Sequence, residues 1–454
     1  MSFANPIVDA GLTGLTELYR SRAITPLEAT EAYLARIERL NPQLGAYVTV
    51  DAAGARAAAE ASAARWAAGS PLSPLDGAPV AVKANIAVAG LPWHAGIAAY
   101  RDRLAPEDAA VVGNLKAAGA VILGILNMHE AALGATTDNA AFGRCHNPHR
   151  HGFTAGGSSG GSGAAVAAGL CAAALGTDTM GSVRIPSGYC GVYAHKPTQG
   201  LIDTDQVVAL SWTLDHVGVH ARSIEDCAAL LDQASGGLSG DMGNEAFVAA
   251  PRSALGQAPL AVLDFAGQVE VEPAVQAAFD ATMARARAAG LTLETVRLDY
   301  DFGAMRRLGL LMSEAEGFVE HQAMLAADPE GFTPGLRKLL TWGAEQPAWK
   351  LAKAYRELGE VAARISEVLS PYEAVLMPTA PQAAFAFETP APANQADFTA
   401  LADFLGLPAT AFPVGMSPGG LPLSAQVMAW DDDVALGLAA LLAVPVAAPP
   451  AFRG

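Results

Sequence analysis

Serine and glycine crowd one stretch of the 454-residue chain, and the residues best suited to chemistry lie there. In residues 154–170, TAGGSSGGSGAAVAAGL, glycines surround Ser158, Ser159 and Ser162. Glycine reaches positive φ without steric penalty and lets a ligand approach the main chain closely. Because AAVAAGL predicts a helix, the loop lies at a helix N-terminus, where free N–H groups favour negative charge.

Three functions of such a loop compete. A phosphate-binding loop would follow the pattern Gly-x-x-x-x-Gly-Lys-Ser/Thr, and no lysine follows these glycines. A flexible linker would not run directly into an apolar helix and a strand-like segment. The third interpretation is acyl-transfer catalysis, in which a serine hydroxyl acts as the nucleophile once a base takes its proton.

Several motifs together resemble the amidase signature family. The loop GGSSGGS is followed by GTDTMGSVRIP at residues 176–186, and VAVKANI at residues 80–86 resembles the lysine segment of that family. Further segments match in the family's order over nearly the whole chain: LGILNMHEAALG, GVYAHKPTQG, SWTLDHVGVHARSIED, LMPTAP, LADFLGLPATAFPVG and GLPLSAQVMA. A combined match of this length is specific, whereas richness in glycine and serine alone would be weak.

The resemblance implies a catalytic triad. It makes Ser182 the nucleophile, Ser158 the bridging serine whose peptide bond is cis in the family, and Lys83 the terminal base. A lysine can accept a proton only when neutral, so its pKa must fall from about 10.4 to about 7–8 through burial or neighbouring donors. The apolar strand predicted around Lys83 is a source of that burial. Ser158 is then expected to relay protons between Lys83 and Ser182.

The resemblance also implies a loop that binds the oxyanion of the tetrahedral intermediate. Backbone N–H groups of Thr179, Met180, Gly181 and Ser182 are expected to point at this oxygen. In comparable sites each donor is worth about 3–4 kcal/mol.

Three neighbouring residues are expected to support the site. By resemblance, Asp178 and Arg184 hold the oxyanion loop, and Ser159 belongs to the hydrogen-bonded shell around the triad. The alternative is that Asp178 and Arg184 form a plain structural ion pair.

The chain departs from the family pattern at a few positions. The family usually has aspartate after its lysine, where this chain has Ala84, and glycine where this chain has Met180. Ala194 and His195 replace a Gly-Leu pair, and Ser424 replaces a common glycine. The Met180 side chain lies beside the oxyanion loop and could narrow the acyl pocket.

The composition argues against several classes of protein. A net charge of −17 with only 28 Lys and Arg residues is unsuited to direct nucleic-acid binding, which needs clustered cations. The N-terminus lacks a basic start followed by an apolar core, and no run of 18 apolar residues occurs. We therefore expect neither export nor membrane insertion, but a cytoplasmic protein with reduced thiols. The four cysteines are Cys145, Cys171, Cys190 and Cys227.

No metal or cofactor is expected. The cysteines form no CxxC pair, and no histidine pair has the helical spacing of a metal site with a carboxylate base. The histidines near the motifs are interpreted as loop or packing residues: His129, His146, His149, His151 and His195.

Helices and strands alternate along the chain, as in an α/β protein. Thr25, Pro26 and Glu28 form a capping box that predicts a helix over residues 25–40, and Asp51 caps a second helix to residue 68. The segment APVAVKANIAV predicts a buried strand, so Lys83 lies at or near a strand end. A predicted helix over about 107–118, followed by the strand-like apolar run AVILGIL, repeats this alternation of helix and strand.

The resemblance implies a single α/β domain over residues 1–454, with a mixed sheet covered by helices on both faces. The catalytic core is expected at about 75–230. A mainly helical region at about 303–370 either lines the substrate pocket or is plain packing.

The leading hypothesis is a stand-alone amidase that releases ammonia or an amine from a small-molecule carboxamide or acyl amide. The alternative is the glutamine-hydrolysing subunit of a tRNA-dependent amidotransferase, which needs a partner chain. A second alternative is a hydrolase of allophanate or carboxybiuret. A non-catalytic scaffold belongs to a different class, and the intact Lys83, Ser158 and Ser182 argue against it. The oligomeric state is open, with a homodimer as one option.

Overall fold

An eleven-stranded mixed sheet forms the centre of the molecule. The computed structural model describes residues 1–236 and 250–452. In chain order the strands are β1 (Tyr47–Val50), β2 (Pro79–Lys83), β3 (Val121–Leu126), β4 (Asp138–Asn139), β5 (Gly143–Arg144), β6 (His146–Asn147), β7 (Arg150–Thr154), β8 (Ala173–Asp178), β9 (Tyr193–Lys196), β10 (His216–Ala221), β11 (Leu260–Leu263), β12 (Leu293–Val296), β13 (Ala374–Pro378), β14 (Ala409–Met416) and β15 (Pro422–Ala429).

The large sheet has the order β1-β3-β2-β8-β10-β9-β14-β15-β13-β11-β12, while β4-β5 and β6-β7 form two small pairs. Strand β2 runs parallel to both β3 and β8, whereas β10 runs antiparallel to β8. Strands β2, β3 and β8 are buried along their whole length. Parallel strands covered on both faces carry continuous apolar runs, which explains the sequences PVAVK and VILGIL.

Helices flank the sheet, and this confirms the predicted fold class. In chain order they are α1 (Pro6–Asp9), α2 (Gly11–Arg20), α3 (Pro26–Leu44), α4 (Ala52–Ala68), α5 (Ala110–Ala117), α6 (Gly160–Ala167), α7 (Arg184–Cys190), α8 (Ile224–Ala234), α9 (Pro273–Ala288), α10 (Phe302–Ala327), α11 (Pro334–Ala344), α12 (Ala348–Leu369), α13 (Ala400–Leu405) and α14 (Asp432–Leu442).

The helix starts follow the predicted caps. The Thr25 hydroxyl accepts a hydrogen bond from the Glu28 N–H, and the Glu28 carboxylate accepts one from the Thr25 N–H, so the capping box of α3 is confirmed. The Asp51 carboxylate accepts a hydrogen bond from the Gly54 N–H at the start of α4.

The three helices of residues 302–369 pack on one another and on the loop that precedes β10. A Cβ atom on Gly343 of α11 would lie 2.4 Å from the backbone carbon of Glu314, so α10 and α11 approach as closely as glycine allows. The Glu316 carboxylate accepts hydrogen bonds from Ser211 Oγ (2.8 Å), Thr213 Oγ1 (2.8 Å) and the Tyr355 hydroxyl (2.6 Å). This carboxylate therefore joins α10, α12 and the loop.

All four cysteines are buried and form no disulfide, in line with the expectation of unpaired thiols. Over the described residues, no helix combines the length and the apolar character needed to cross a bilayer.

Candidate active site

Lys83 and Ser158 meet in the interior beside the carboxyl end of β2. The Lys83 amino group donates to Ser158 Oγ at 2.7 Å and to Thr177 Oγ1 at 2.7 Å. Both Lys83 and Ser158 have no exposed surface. The pairing follows from the sheet, because β8, which carries Thr177, lies directly beside β2, which ends at Lys83.

The interior position of Lys83 changes its protonation. Burial lowers the pKa of the Lys83 ammonium to about 7, and the negative charges of Asp215 and Asp178 limit the shift. At neutral pH a large fraction of this lysine is therefore neutral and able to accept a proton.

The glycine-rich loop carries Ser158 to Lys83. The Gly157–Ser158 peptide bond is cis, as the family resemblance implies. A Cβ atom on Gly157 would lie 2.6 Å from the Thr136 backbone nitrogen, so only glycine fits against that neighbouring segment. The Thr137 hydroxyl donates to the Gly156 carbonyl at 2.7 Å and fixes the start of the turn.

Ser182 lies on the turn between β8 and α7, beside the same loop. Its backbone carbonyl accepts a hydrogen bond from the Ser159 N–H at 3.1 Å. Ser159 Oγ in turn donates to the Thr177 carbonyl at 3.1 Å. The structure thus brings Ser182, Ser158 and Lys83 into one region, and Ser182 lines a cavity that opens beside it.

A buried ion-pair network supports this turn. Arg184 reaches Asp178 through two contacts of 3.0 Å and Asp403 through one of 2.6 Å, and all three side chains are fully buried. Burial opposes ionisation of Asp178, yet the charge of Arg184 and its hydrogen bonds hold the pKa of this carboxyl well below its ordinary value. The carboxylate also accepts the Val183 N–H at 3.1 Å.

One of the four expected oxyanion donors is already engaged. The Gly181 N–H donates to the Asp178 carboxylate, so in this arrangement it is not available to an oxyanion. The Met180 carbonyl accepts a hydrogen bond from the Thr399 hydroxyl at 2.6 Å, which fixes the orientation of the loop. Asp178 lies only three residues before Gly181 in the chain, which allows its carboxylate to accept this N–H.

Two residues of the site were missed by sequence reasoning. Thr177 contacts Lys83 directly and also accepts a hydrogen bond from Asn85 Nδ2 at 3.1 Å. Asp215 accepts a hydrogen bond from Thr179 Oγ1 at 2.6 Å. Thr177 lies within the motif GTDTMGSVRIP, so its hydroxyl could have been considered as a hydrogen-bond partner of Lys83.

Three of the histidines singled out in the sequence contact other side chains of the protein. His195 lies between Thr410 (2.8 Å) and Asp432 (2.9 Å), and His146 stacks on His151 with ring centroids 3.9 Å apart. Within residues 1–236 and 250–452, no group of three or more histidine, cysteine or acidic side chains is arranged to hold a metal ion.

The family model of the amidases matches residues 28–434. The chain belongs to the amidase signature family. A subunit of the glutamyl-tRNA(Gln) amidotransferase of Anaeromyxobacter sp. (strain K) is 49% identical over 222 residues, which are 49% of this chain and 45% of that protein. The corresponding subunit of Thermus thermophilus is 33% identical over 450 residues, which are 92% of this chain and 93% of that protein. The match thus spans about half the length of the former relative and nearly all of the latter.

A solved structure described as an amidase superposes with a TM-score of 0.87 at 30% identity, covering 95% of this chain and 99% of that one. The chain is accordingly an amidase-type hydrolase.

In this amidase the departures from the family pattern leave the lysine contacts intact. Ala84 is fully buried, and its N–H donates to the Leu126 carbonyl at 3.1 Å. The Lys83 amino group takes its partners from Ser158 and Thr177 instead of the residue that follows it.

The cavity at Ser182 of this amidase has a volume of about 200 Å³. Helix α10 contributes Arg306 and Leu310 to its lining, so part of the helical region faces the site. Arg306 is the one charged residue among the described residues that line this cavity, and it forms an ion pair with Asp397. The larger apolar side chains of the lining are Leu133, Met180, Ile185, Leu210 and Leu310.

Proposed function

We propose that this chain hydrolyses the C–N bond of a small amide through an acyl-enzyme on Ser182. The observation that carries the proposal is the 2.7 Å hydrogen bond between the buried Lys83 and Ser158, beside the turn that carries Ser182. A lysine with a pKa near neutrality is a suitable general base, and a serine needs such a base to become a nucleophile.

Acylation begins when Ser182 Oγ attacks the amide carbonyl carbon. The Ser182 proton passes to Ser158 Oγ, and the Ser158 proton passes to the neutral Lys83. The tetrahedral oxyanion is bound by N–H groups of the Thr179–Ser182 loop other than that of Gly181. Collapse breaks the C–N bond, and the proton returns through Ser158 to the leaving nitrogen.

Deacylation repeats these steps with water as the nucleophile. Lys83 accepts the proton of water through Ser158, the hydroxide attacks the ester carbon, and the proton returns to Ser182 Oγ as the acid leaves. Every proton taken up is given back, so the reaction requires no cofactor in this scheme. A cytoplasmic site of action fits the four unpaired, buried thiols.

The cavity favours an amide with a small apolar acyl group. Most of its lining residues are leucine, isoleucine, methionine, alanine or proline, whose side chains gain free energy by contact with apolar surface. Among the described residues that line it, Arg306 is the one charged side chain. It is already paired with Asp397, so this pair would have to open to bind a charged substrate. A stand-alone amidase acting on an apolar carboxamide is therefore the main proposal.

The second candidate is a glutamine-hydrolysing subunit of an amidotransferase. The names of the curated relatives favour it, since the match over nearly the whole chain is to a glutamyl-tRNA(Gln) amidotransferase. In that case Arg306 and Asp397 would separate and bind the carboxylate and the ammonium group of glutamine.

The deciding experiment measures ammonia release by the purified chain from hexanamide, benzamide and glutamine. We expect turnover of the apolar amides and loss of about 10⁴- to 10⁶-fold of kcat/KM in Ser182→Ala and Lys83→Ala. The matched control is Ser162→Ala, because this serine of the same loop donates to the Leu175 carbonyl and does not line the cavity. Turnover of glutamine alone would favour the second candidate, and full activity of Ser182→Ala would overturn the mechanism.

A further inference from the structure

A second and larger cavity lies between α10, α11 and α12. Its volume is about 590 Å³, and Leu310 is the one described residue that lines both this cavity and the one at Ser182. Leu308, Leu311, Leu339 and Trp342 form apolar walls. Leu339 and Trp342 are 38% and 41% exposed, which leaves an apolar surface open to solvent.

Lysine is concentrated at this cavity. The chain has six lysines and a net charge of −17, yet Lys338, Lys350 and Lys353 all line this one groove. Lys338 and Lys353 form no ion pair with any residue in the described part of the chain. Lys350 lies 5.0 Å from the centre of the Trp342 ring. The other lysines are engaged elsewhere: Lys83 and Lys196 in the interior, and Lys116 with Asp108.

Two of these lysines lie where their positive charge is unfavourable for the helix that carries them. Lys350 and Lys353 lie in the first two turns of α12, which begins at Ala348 and has no acidic residue in its first turn. The N-terminal end of a helix is positive, so cations there are unfavourable to the helix. The combined positive charge of helix end and lysines is suited to an anionic ligand.

A carboxyl without a protein partner lies in the same cavity. Glu314 of α10 is 5% exposed, lines the cavity, and its carboxyl makes no hydrogen bond or ion pair with any described residue. Burial raises the pKa of this carboxyl to about 7. The carboxyl faces the open cavity, where a ligand ammonium group would supply both a hydrogen-bond donor and an opposite charge.

We propose that this groove binds a linear amphiphile with an ammonium group at one end and a carboxylate at the other. The ammonium group meets Glu314, the carboxylate meets Lys350 and Lys353, and the apolar segment packs on Leu311 and Trp342. Both ends of the ligand contribute, because an apolar acid would leave Glu314 without a cation and an apolar amine would leave the lysines without an anion. Lys350 otherwise donates to the neutral Gln346 Oε1 at 2.7 Å.

The test is isothermal titration calorimetry of the full chain with three probes of equal chain length. We expect ω-aminooctanoate to bind about tenfold or more tightly than octanoate and octylamine, since each of these lacks one charged end. Lys353→Ala, at an exposed side chain, is expected to weaken ω-aminooctanoate about tenfold and to leave octylamine unchanged. Glu314→Gln is expected to weaken ω-aminooctanoate and to leave octanoate unchanged or tighter.

Lys116→Ala is the matched control, because it removes a lysine that lies outside this cavity. Its affinity for ω-aminooctanoate should equal that of the parent chain. Equal affinity for all three probes would identify a plain apolar groove and overturn the proposal. Unchanged affinity in both Lys353→Ala and Glu314→Gln would also overturn it. These measurements require no turnover, so they are independent of the proposed amidase reaction.

Discussion

The hydroxyl of Thr179 donates a 2.6 Å hydrogen bond to the carboxylate of Asp215, and this contact joins the expected oxyanion loop to the loop before β10. The other carboxylate oxygen accepts the N–H groups of Leu210 (2.8 Å) and Ser211 (3.1 Å). Burial raises the pKa of Asp215 to about 6, although these hydrogen bonds favour its ionised form. Asp215 therefore has two roles, as a brace for Thr179 and as a negative charge felt by Lys83.

Asp215→Asn is expected to shift the pH profile of the reaction. Neutral Lys83 is the base, so kcat/KM of the parent chain should rise with pH through about 7. The charge of Asp215 raises the pKa of Lys83, so removing it lowers that pKa. The acid limb should move to lower pH by about one unit, with the maximal rate reduced about tenfold.

The measurement is kcat/KM between pH 5 and 9, a range taken to span roughly two units on each side of the expected midpoint. Asp264→Asn is the control, because Asp264 forms an exposed pair with Arg297 and should leave the midpoint unchanged. If the acid limb of the kcat/KM profile of Asp215→Asn stays in place or moves to higher pH, the charge of Asp215 does not raise the pKa of Lys83.

Motifs that are continuous in the chain can be predicted from the sequence. The turn at residues 176–186 and the segment ending at Lys83 are recognisable because each carries its chemistry within a few residues. Contacts made across the sheet could not be predicted, since the order of the strands is not encoded locally. Thr177 reaches Lys83 only because β8 lies beside β2. Asp215 reaches Thr179 only because β10 pairs antiparallel with β8, with His216 opposite Asp178.

Lys83→Met is expected to stabilise the fold at low pH while abolishing catalysis. The folded-state pKa of Lys83, about 7, lies below the ordinary value of 10.5. Between these values the unfolded chain binds more protons, so the stability of the parent chain rises with pH across this window. Burial of the lysine costs about 4–5 kcal/mol below pH 7, and loss of its hydrogen bonds to Ser158 and Thr177 offsets about 2 kcal/mol of the gain.

Denaturant unfolding of the parent chain and of Lys83→Met, at pH 6 and at pH 10.5, measures this difference in stability. The variant should be more stable by about 2–3 kcal/mol at the lower pH and no more stable at the higher pH. Lys116→Met, at a partly exposed ion pair, should change stability by less than about 1 kcal/mol at either pH. A difference that does not depend on pH would contradict the burial argument.

Arg184→Met is expected to destabilise the chain by about 3–5 kcal/mol, because it leaves the buried Asp178 carboxylate without the cation that is hydrogen-bonded to it. The substitution should also lower kcat, because the turn that carries Ser182 loses its support. Arg297→Met provides the comparison, since its pair with Asp264 is about half exposed and is worth about 1 kcal/mol or less. Thermal and denaturant unfolding measure both, and equal effects of the two substitutions would contradict a structural role for the buried network.

Gly309 of α10 has no side chain, and this leaves space for the side chain of Met180. A Cβ atom at this position would lie 2.4 Å from Met180 Sδ and 2.9 Å from the ring of Phe404, so Gly309→Ala must displace one of them. The methionine is the more flexible side chain, and it already lines the acyl cavity, so its sulfur is expected to move into the acyl space. The variant should lose about tenfold or more in kcat/KM for hexanamide and much less for acetamide.

Adding Met180→Ala to Gly309→Ala should restore hexanamide turnover, because the displaced side chain is then absent. Gly335→Ala in α11 is the matched control, since a Cβ atom there meets nothing within 4 Å. The two amides are compared by ammonia release under identical conditions. An equal loss on both substrates would mean that α10 itself had shifted, whereas a loss confined to the longer acyl chain and reversed by Met180→Ala would place Met180 at the far wall of the acyl pocket.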